Sequence, residues 1–261
     1  MTARESEPRD RSPLFTPRVA LASLSGEADA AWARAGSDHA GAAFLGGVAI
    51  DEATREGARA LVERDREEFL PADPIGFVAD ELDALADVPI RPGVNVRSTT
   101  PDPVREVAQI CADRGAILEI NAHCRQAEIC AVGGGETLLR ETDRLCEYVA
   151  VAADTGAPVS VKVRTEVPGV DLAQTAHRAA DAGADAIHID AMDSEAVVGD
   201  VAEAAPDLFV IANNEVRDRE SVREYLDLGA DAVSLGRPST DPRVRRRVGR
   251  AVDAWFAEPS R

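Results

Sequence analysis

With 261 residues, the chain is long enough for one domain with a full core, and its 47 acidic against 29 basic side chains give a formal net charge of −18. That charge argues against non-specific nucleic-acid binding at moderate salt, since carboxylates repel phosphates over a Debye length of about 10 Å at 0.1 M. The absence of a long apolar run, a polar leader over 1–17 without a signal peptide's apolar centre, and four cysteines with no secretion signal exclude a membrane span and a disulfide framework and predict a cytoplasmic protein.

Counting the basic residues separately gives 28 arginines and a single lysine, Lys162. With abundant alanine and few aromatics, this is the composition of a halophilic protein, so the acidity reports environment rather than ligand.

In chain order, the apolar run 18–24 predicts a first buried strand, and 27–34 the helix after it. Similar short runs at 41–45, 93–96, 117–121, 159–163, 186–190, 208–212 and 232–236 predict seven more strands. Apolar residues at helical spacing mark 103–114, 136–155, 172–182 and 221–228 between them. The stretch 51–87 is longer than one helix needs. It reads as a long helix, a break at Pro71-Ala-Asp-Pro74 and a second short helix, with no functional residue. Ala182-Gly-Ala-Asp185 and Leu228-Gly-Ala-Asp231 each close a helix and enter a strand, as echoes of one repeating unit. Eight such units predict a parallel sheet closed into a single-domain (β/α)8 TIM barrel over 18–261, ending in a C-terminal helix, with its chemistry at the carboxyl ends of the strands.

Those strand ends hold the informative residues. After the fourth strand, Asn121-Ala-His-Cys124 leads into a glycine cluster at 133–135 and then Leu138-Leu139. Cys124 reads as an inert buried thiol or as a proton donor. The fifth strand ends in Lys162-Val-Arg164, and a composition that keeps its one lysine at a strand end implies a need for a compact ammonium there. Asn95 lies on the third strand. His188 and Asp190 share one face of the sixth, where His188 reads as an inward-reaching group or as a satisfied core histidine. The seventh and eighth strands run into Asn213-Asn214 and Gly236-Arg237-Pro238, at the place where barrels commonly bind phosphate. Gly236 permits close backbone approach, and Arg237 can add a charge-assisted bond. His123, Cys124 and Cys130 have no second pair at zinc-like spacing, so no metal site is expected.

These residues resemble the catalytic barrel of the tRNA-dihydrouridine synthase family over roughly residues 18–245, most strongly from 115 onward, in the manner of a diverged archaeal or halophilic member. The resemblance implies an oxidoreductase that binds flavin mononucleotide (FMN), takes electrons from NADPH or NADH, and reduces the uracil C5=C6 bond in tRNA. It assigns Asn121 to the flavin, Cys124 to protonating uracil C5, Lys162 to the flavin's N1 and O2 edge, and Asn95 to its pyrimidine edge. His188 falls in the flavin's neighbourhood, and Asn213, Gly236 and Arg237 at its phosphate. The family has glycine and proline beside the cysteine where this chain has His123 and Arg125, and its histidine position falls on Asp190.

The family's helical tRNA-gripping domain has no counterpart beyond 241–261, where a basic cluster of Arg243, Arg245, Arg246, Arg247 and Arg250 fits either RNA phosphates or neighbouring carboxylates. Two other readings stay open: an FMN-dependent reductase or dehydrogenase of a small molecule, similar to dihydroorotate dehydrogenase, and a flavin-free barrel binding a phosphate-bearing ligand or a partner. The sequence leaves the oligomeric state open.

Overall fold

The structure, a computed structural model, describes residues 13–258; most of the polar leader, 1–12, and the last three residues lie outside the described residues. Short apolar runs form eight strands: β1 (Val19–Leu21), β2 (Ala42–Ala49), β3 (Arg91–Arg97), β4 (Ile117–Asn121), β5 (Val159–Arg164), β6 (Ala186–Asp190), β7 (Phe209–Asn213) and β8 (Ala232–Leu235). All pair in parallel and in sequence order, and β8 closes on β1 with Leu235 opposite Leu21. The chain is the expected (β/α)8 TIM barrel. No described helix is long and apolar enough to cross a membrane.

Side chains alternate along each strand, so the two faces of the sheet take different chemistry. Val94, Val96, Leu118, Ile120, Val161, Val163, Ile187 and Ile189 join the core that includes Val107 and Val149 of the surrounding helices Pro101–Arg114 and Thr142–Ala153. Inward-facing residues form layers. The lowest is apolar: Ala20, Ala42, Phe44, Ile117, Ile211 and Ala232, joined by Phe15, whose ring meets Phe209 edge-on at 5.2 Å. Gly93 makes room for the Phe44 ring, because a Cβ there would lie 2.7 Å from its Cδ1. One step up, the layer is polar yet buried: Asn95, Glu119, Ser160, His188 and Ser234. Another step reaches the strand ends, with Arg97, Asn121, Arg164, Asp190 and Asn213.

Part of the chain's acidity has a local structural use. Asp29, Asp51, Asp73, Asp171, Asp218 and Asp241 each accept backbone N–H groups at a helix start, a contribution of about 1 kcal/mol per cap.

Several boundaries differ from the sequence reading. The second strand runs to Ala49 rather than 45, because pairing with β3 continues past Gly46-Gly47 through a register shift. The helix expected over 136–155 is two, Glu136–Arg140 and Thr142–Ala153, broken at Glu141, whose ψ of 61° is not helical. Apolar spacing continues across that break, which hides it from periodicity. The first strand ends at Leu21, three residues short of 24, and the following helix is Ala30–Gly36, started by the Asp29 cap rather than at 27.

Candidate active site

A cavity of about 640 Å³ opens at the carboxyl ends of the strands. Ser23 and Ser25 after β1, Gly47 in β2, Arg97 in β3, Asn121 and Cys124 at the end of β4, Arg164 in β5, Asp190 in β6 and Arg237 after β8 face it. Residues 65–68, in the segment to which the sequence assigned no role, also line it, with Glu27, His123, Arg125 and Met192 among the rest of the wall. Five arginines and five acidic residues line the cavity, so it is balanced in charge within a strongly acidic chain.

On the β3–β5 side a chain of amides sets the position of Cys124. Asn121 Oδ1 accepts the backbone N–H of Cys124 at 3.0 Å and of His123 at 3.3 Å, and Asn121 Nδ2 donates to Asn95 Oδ1 at 2.8 Å. Asn95 Nδ2 donates onward to Glu119 Oε1 at 2.8 Å. The loop returns at Gly135, where φ is +58° and a Cβ would stand 2.2 Å from the Cys124 carbonyl oxygen, so only glycine permits the approach. That carbonyl accepts the Glu136 N–H at 2.9 Å and the Cys130 thiol at 3.4 Å. Cys124 is left 8% exposed, facing the cavity.

Beneath the cavity lies a network of buried charge. Glu119 Oε2 is 2.7 Å from His188 Nδ1 and accepts the Ser160 hydroxyl at 3.3 Å. His188 Nε2 is 2.7 Å from Ser234 Oγ, which accepts the Asn213 amide at 2.6 Å. The donors assign one tautomer: His188 donates from Nδ1 to the carboxylate and accepts the Ser234 hydroxyl at Nε2. Burial, assisted by the charge of Lys162, pushes the imidazole below its ordinary pKa and keeps it neutral. Burial also works to raise the Glu119 carboxyl, but His188, Lys162 and the Asn95 amide outweigh it and hold the group low.

Lys162 sits in register between Asn121 and His188 and is 3% exposed. Among the described residues its ammonium has no hydrogen-bond acceptor; burial lowers its pKa, opposed by the charges of Glu119 and Asp190. An ammonium on a nearly buried side chain with no protein acceptor fits a ligand that brings an anionic or electron-rich edge to the cavity floor.

A second buried cation stands beside Cys124. Arg97 Nη1 meets Glu68 Oε2 at 2.6 Å with both side chains 3% exposed, and Arg97 also donates to Ser25. Burial opposes its charge, yet the Cys124 sulfur and Glu68 more than compensate and keep the guanidinium protonated. Gly47 lets these groups gather: a Cβ there would lie 2.7 Å from Asn95 Oδ1 and 3.2 Å from Arg97 Nε.

The β7–β8 side is built differently. Asn214, in the loop after β7, takes a φ of 112° and donates to the Met192 carbonyl at 2.7 Å. Nothing lies within 4 Å of a Cβ placed on Gly236, and Arg237 is exposed on the cavity wall.

Of the residues singled out in the sequence, Asn121, Cys124 and Arg237 face the cavity, and Asn95, Lys162 and His188 lie beneath it. Asn213 and Gly236 flank it at the ends of β7 and β8. Both ends of the Asn95 amide and both ring nitrogens of His188 are engaged within the protein. Sequence reasoning missed Glu119, which a charged residue two positions before Asn121 in an apolar strand could have signalled. It also missed the Arg97–Glu68 pair, for which no local signal exists.

The sequence matches the family model for dihydrouridine synthase over residues 91–252, more than half of the chain. It is 27% identical over 232 residues to an uncharacterized protein of Methanocaldococcus jannaschii, covering 84% of this chain and 88% of that one. Among solved structures, the DHODH of Eimeria tenella in complex with ferulenol is similar with a TM-score of 0.66 at 16% identity, covering 90% of this chain and 80% of that one. An IMP dehydrogenase/GMP reductase-like protein of Corynebacterium glutamicum is similar with a TM-score of 0.58 at 19% identity, covering 89% and 67%. At such identities the structural likeness establishes the barrel fold.

Proposed function

Because the chain belongs to the dihydrouridine synthase family of flavin-dependent oxidoreductases, we propose that it holds FMN in this cavity and reduces the C5=C6 bond of uracil in tRNA, with NADPH or NADH as electron donor. The observation that carries the reading is Lys162, a side chain 3% exposed beneath the cavity whose ammonium has no hydrogen-bond acceptor among the described residues. A cation there suits the N1 and O2 edge of a flavin ring and favours its anionic reduced form. Gly236 and Arg237 suit the phosphate end, through an open backbone and a guanidinium without a carboxylate partner among the described residues.

Bound there, a flavin would supply the hydride for uracil C6. The chain supplies the rest. Cys124 delivers the proton to C5, and solvent reprotonates the thiolate it leaves. Asn121 acts through the loop, holding the Cys124 N–H and therefore the direction of the thiol.

The test is the visible absorption of protein purified in molar salt and supplied with FMN, followed by assay of tRNA from a gene-deletion strain. Flavin bands that survive desalting, vanish in Lys162→Ala, and accompany loss of dihydrouridine on deletion are the expected result. Protein that takes up no flavin overturns the reading.

A further inference from the structure

In a chain with so many carboxylates an arginine finds an acceptor easily, and most of the described arginines do. They pair with Asp or Glu, or donate to backbone carbonyls, as Arg245 does to Ser239 and Ala35, and Arg247 to Arg217. Among the described residues, the arginines whose side chains have no protein partner are Arg66, Arg125, Arg237, Arg243, Arg246 and Arg250, and all are exposed.

Their placement is continuous. Arg66, Arg125 and Arg237 line the cavity. Arg237 opens the turn Arg237–Thr240, which leads through Asp241 into the helix Pro242–Ala257. On that helix 243, 246 and 250 follow at i, i+3, i+7 spacing, one face, while Arg245, Val248 and Val252 are buried on the other. Since the helix follows the carboxyl end of β8, it starts at the cavity rim and runs back along the barrel wall. From 243 to 250 it covers about 10 Å at 1.5 Å per residue, close to three phosphate-to-phosphate steps of about 3.4 Å along one nucleic-acid strand.

We propose that these arginines, apart from Arg237, which faces the flavin phosphate, form a track for an RNA backbone, Arg66 and Arg125 at the rim holding phosphates beside the base offered to Cys124 and the helix stripe carrying the strand onward. The proposal rests on the reading of uracil in RNA as substrate. A free nucleotide would be satisfied at the rim; the stripe lies outside the cavity and has something to grip only when the ligand continues. Arginine suits this role because its planar fork binds phosphate through two parallel bonds, and the acidic remainder of the surface confines a polyanion to the track.

The experiment is binding of an unmodified tRNA transcript to the flavin-loaded protein from low to moderate salt, for the wild type and for Arg243→Gln/Arg246→Gln/Arg250→Gln. The triple variant should lose about two to three from the slope of log affinity against log salt, since each phosphate contact contributes about 0.7–0.9, and should bind about ten-fold or more weakly at the lower salt. Its flavin content and circular dichroism should match the wild type. Arg219→Gln/Arg223→Gln, which removes two arginines paired with Glu258 on the neighbouring helix, should leave the slope unchanged. An unchanged slope in the triple variant, or an equal loss per residue in the control, overturns the track. So does altered sedimentation of the triple variant with RNA affinity intact, which assigns the stripe to a second copy of the chain. Protein that reduces free uridine monophosphate but does not bind tRNA removes the track and leaves the flavin chemistry standing; protein that binds tRNA along the stripe but takes up no flavin does the reverse.

Discussion

The β3–β5 wall and the β7–β8 wall of the cavity solve opposite problems. On the first, Asn95, Asn121, Glu119 and Lys162 are withdrawn from water and, apart from the lysine ammonium, hydrogen-bonded to one another. On the second, Arg237 is exposed and has no partner among the described residues, and the backbone at Gly236 is open. A group that must hold a proton or a charge at one place needs a desolvated, fully connected setting, whereas a group that meets a ligand's phosphate can be left adaptable. The cost of the first arrangement is that removing one member leaves the others buried without partners.

The comparison is broken most directly at Cys124. Cys124→Ala should lower turnover by about 10²- to 10⁴-fold, the usual worth of a positioned acid, with flavin content unchanged; equal turnover would show that the loop positions nothing. Glu119→Ala should cost about 3–5 kcal/mol in denaturant unfolding, because it leaves His188 and Asn95 buried without their acceptor. A cost below about 1 kcal/mol would mean that the lower layer is wetter than its burial implies.

Lys162→Met should weaken FMN retention by about 10- to 100-fold in a dialysis titration, the worth of about 1.5–3 kcal/mol for a bond to a charged group, without destabilising the apoprotein. Acidification sharpens the contrast further. The folded-state pKa values of His188 and His123 are depressed, each by burial first and then by Lys162. Below the unfolded value of about 6.5 the unfolded chain therefore takes up protons that the folded one refuses. Stability should be fully present above that pH and fall as pH drops, by at most about 1.4 kcal/mol per unit per histidine, and His188→Gln should flatten the slope. The smallest effect belongs to the open wall. Arg237→Gln should weaken FMN or inorganic phosphate binding by a few-fold, about 1 kcal/mol, and leave thermal unfolding unchanged.

Much of the site was legible because its residues alternate along strands. Asn121, Lys162 and His188 lie on inward faces as period two demands, and the single lysine in an arginine-rich chain marked itself by composition. Cys124 was legible only through its spacing from Asn121 and the glycines after it. What stayed hidden is non-local. Glu68 reaches Arg97 from a segment that looked like filler, and the break at Glu141 carries no change of periodicity. The expected use of the Asn95 amide at a ligand could not reveal that Glu119 and Asn121 already engage both its ends.

By itself the sequence determined the barrel, since eight apolar runs separated by amphipathic helices can bury their faces in few other ways, and it determined which residues stand at the strand ends. Only the tertiary structure decided which of those residues face solvent, which are sealed beneath it, and which arginines have no acid to meet. Net charge is a sum over the chain, whereas pairing and burial depend on which residues closure of the barrel brings within a few ångströms of one another. The same acidic composition thus yields neutralised helix caps, a buried carboxylate under the cavity and a free arginine stripe beside it.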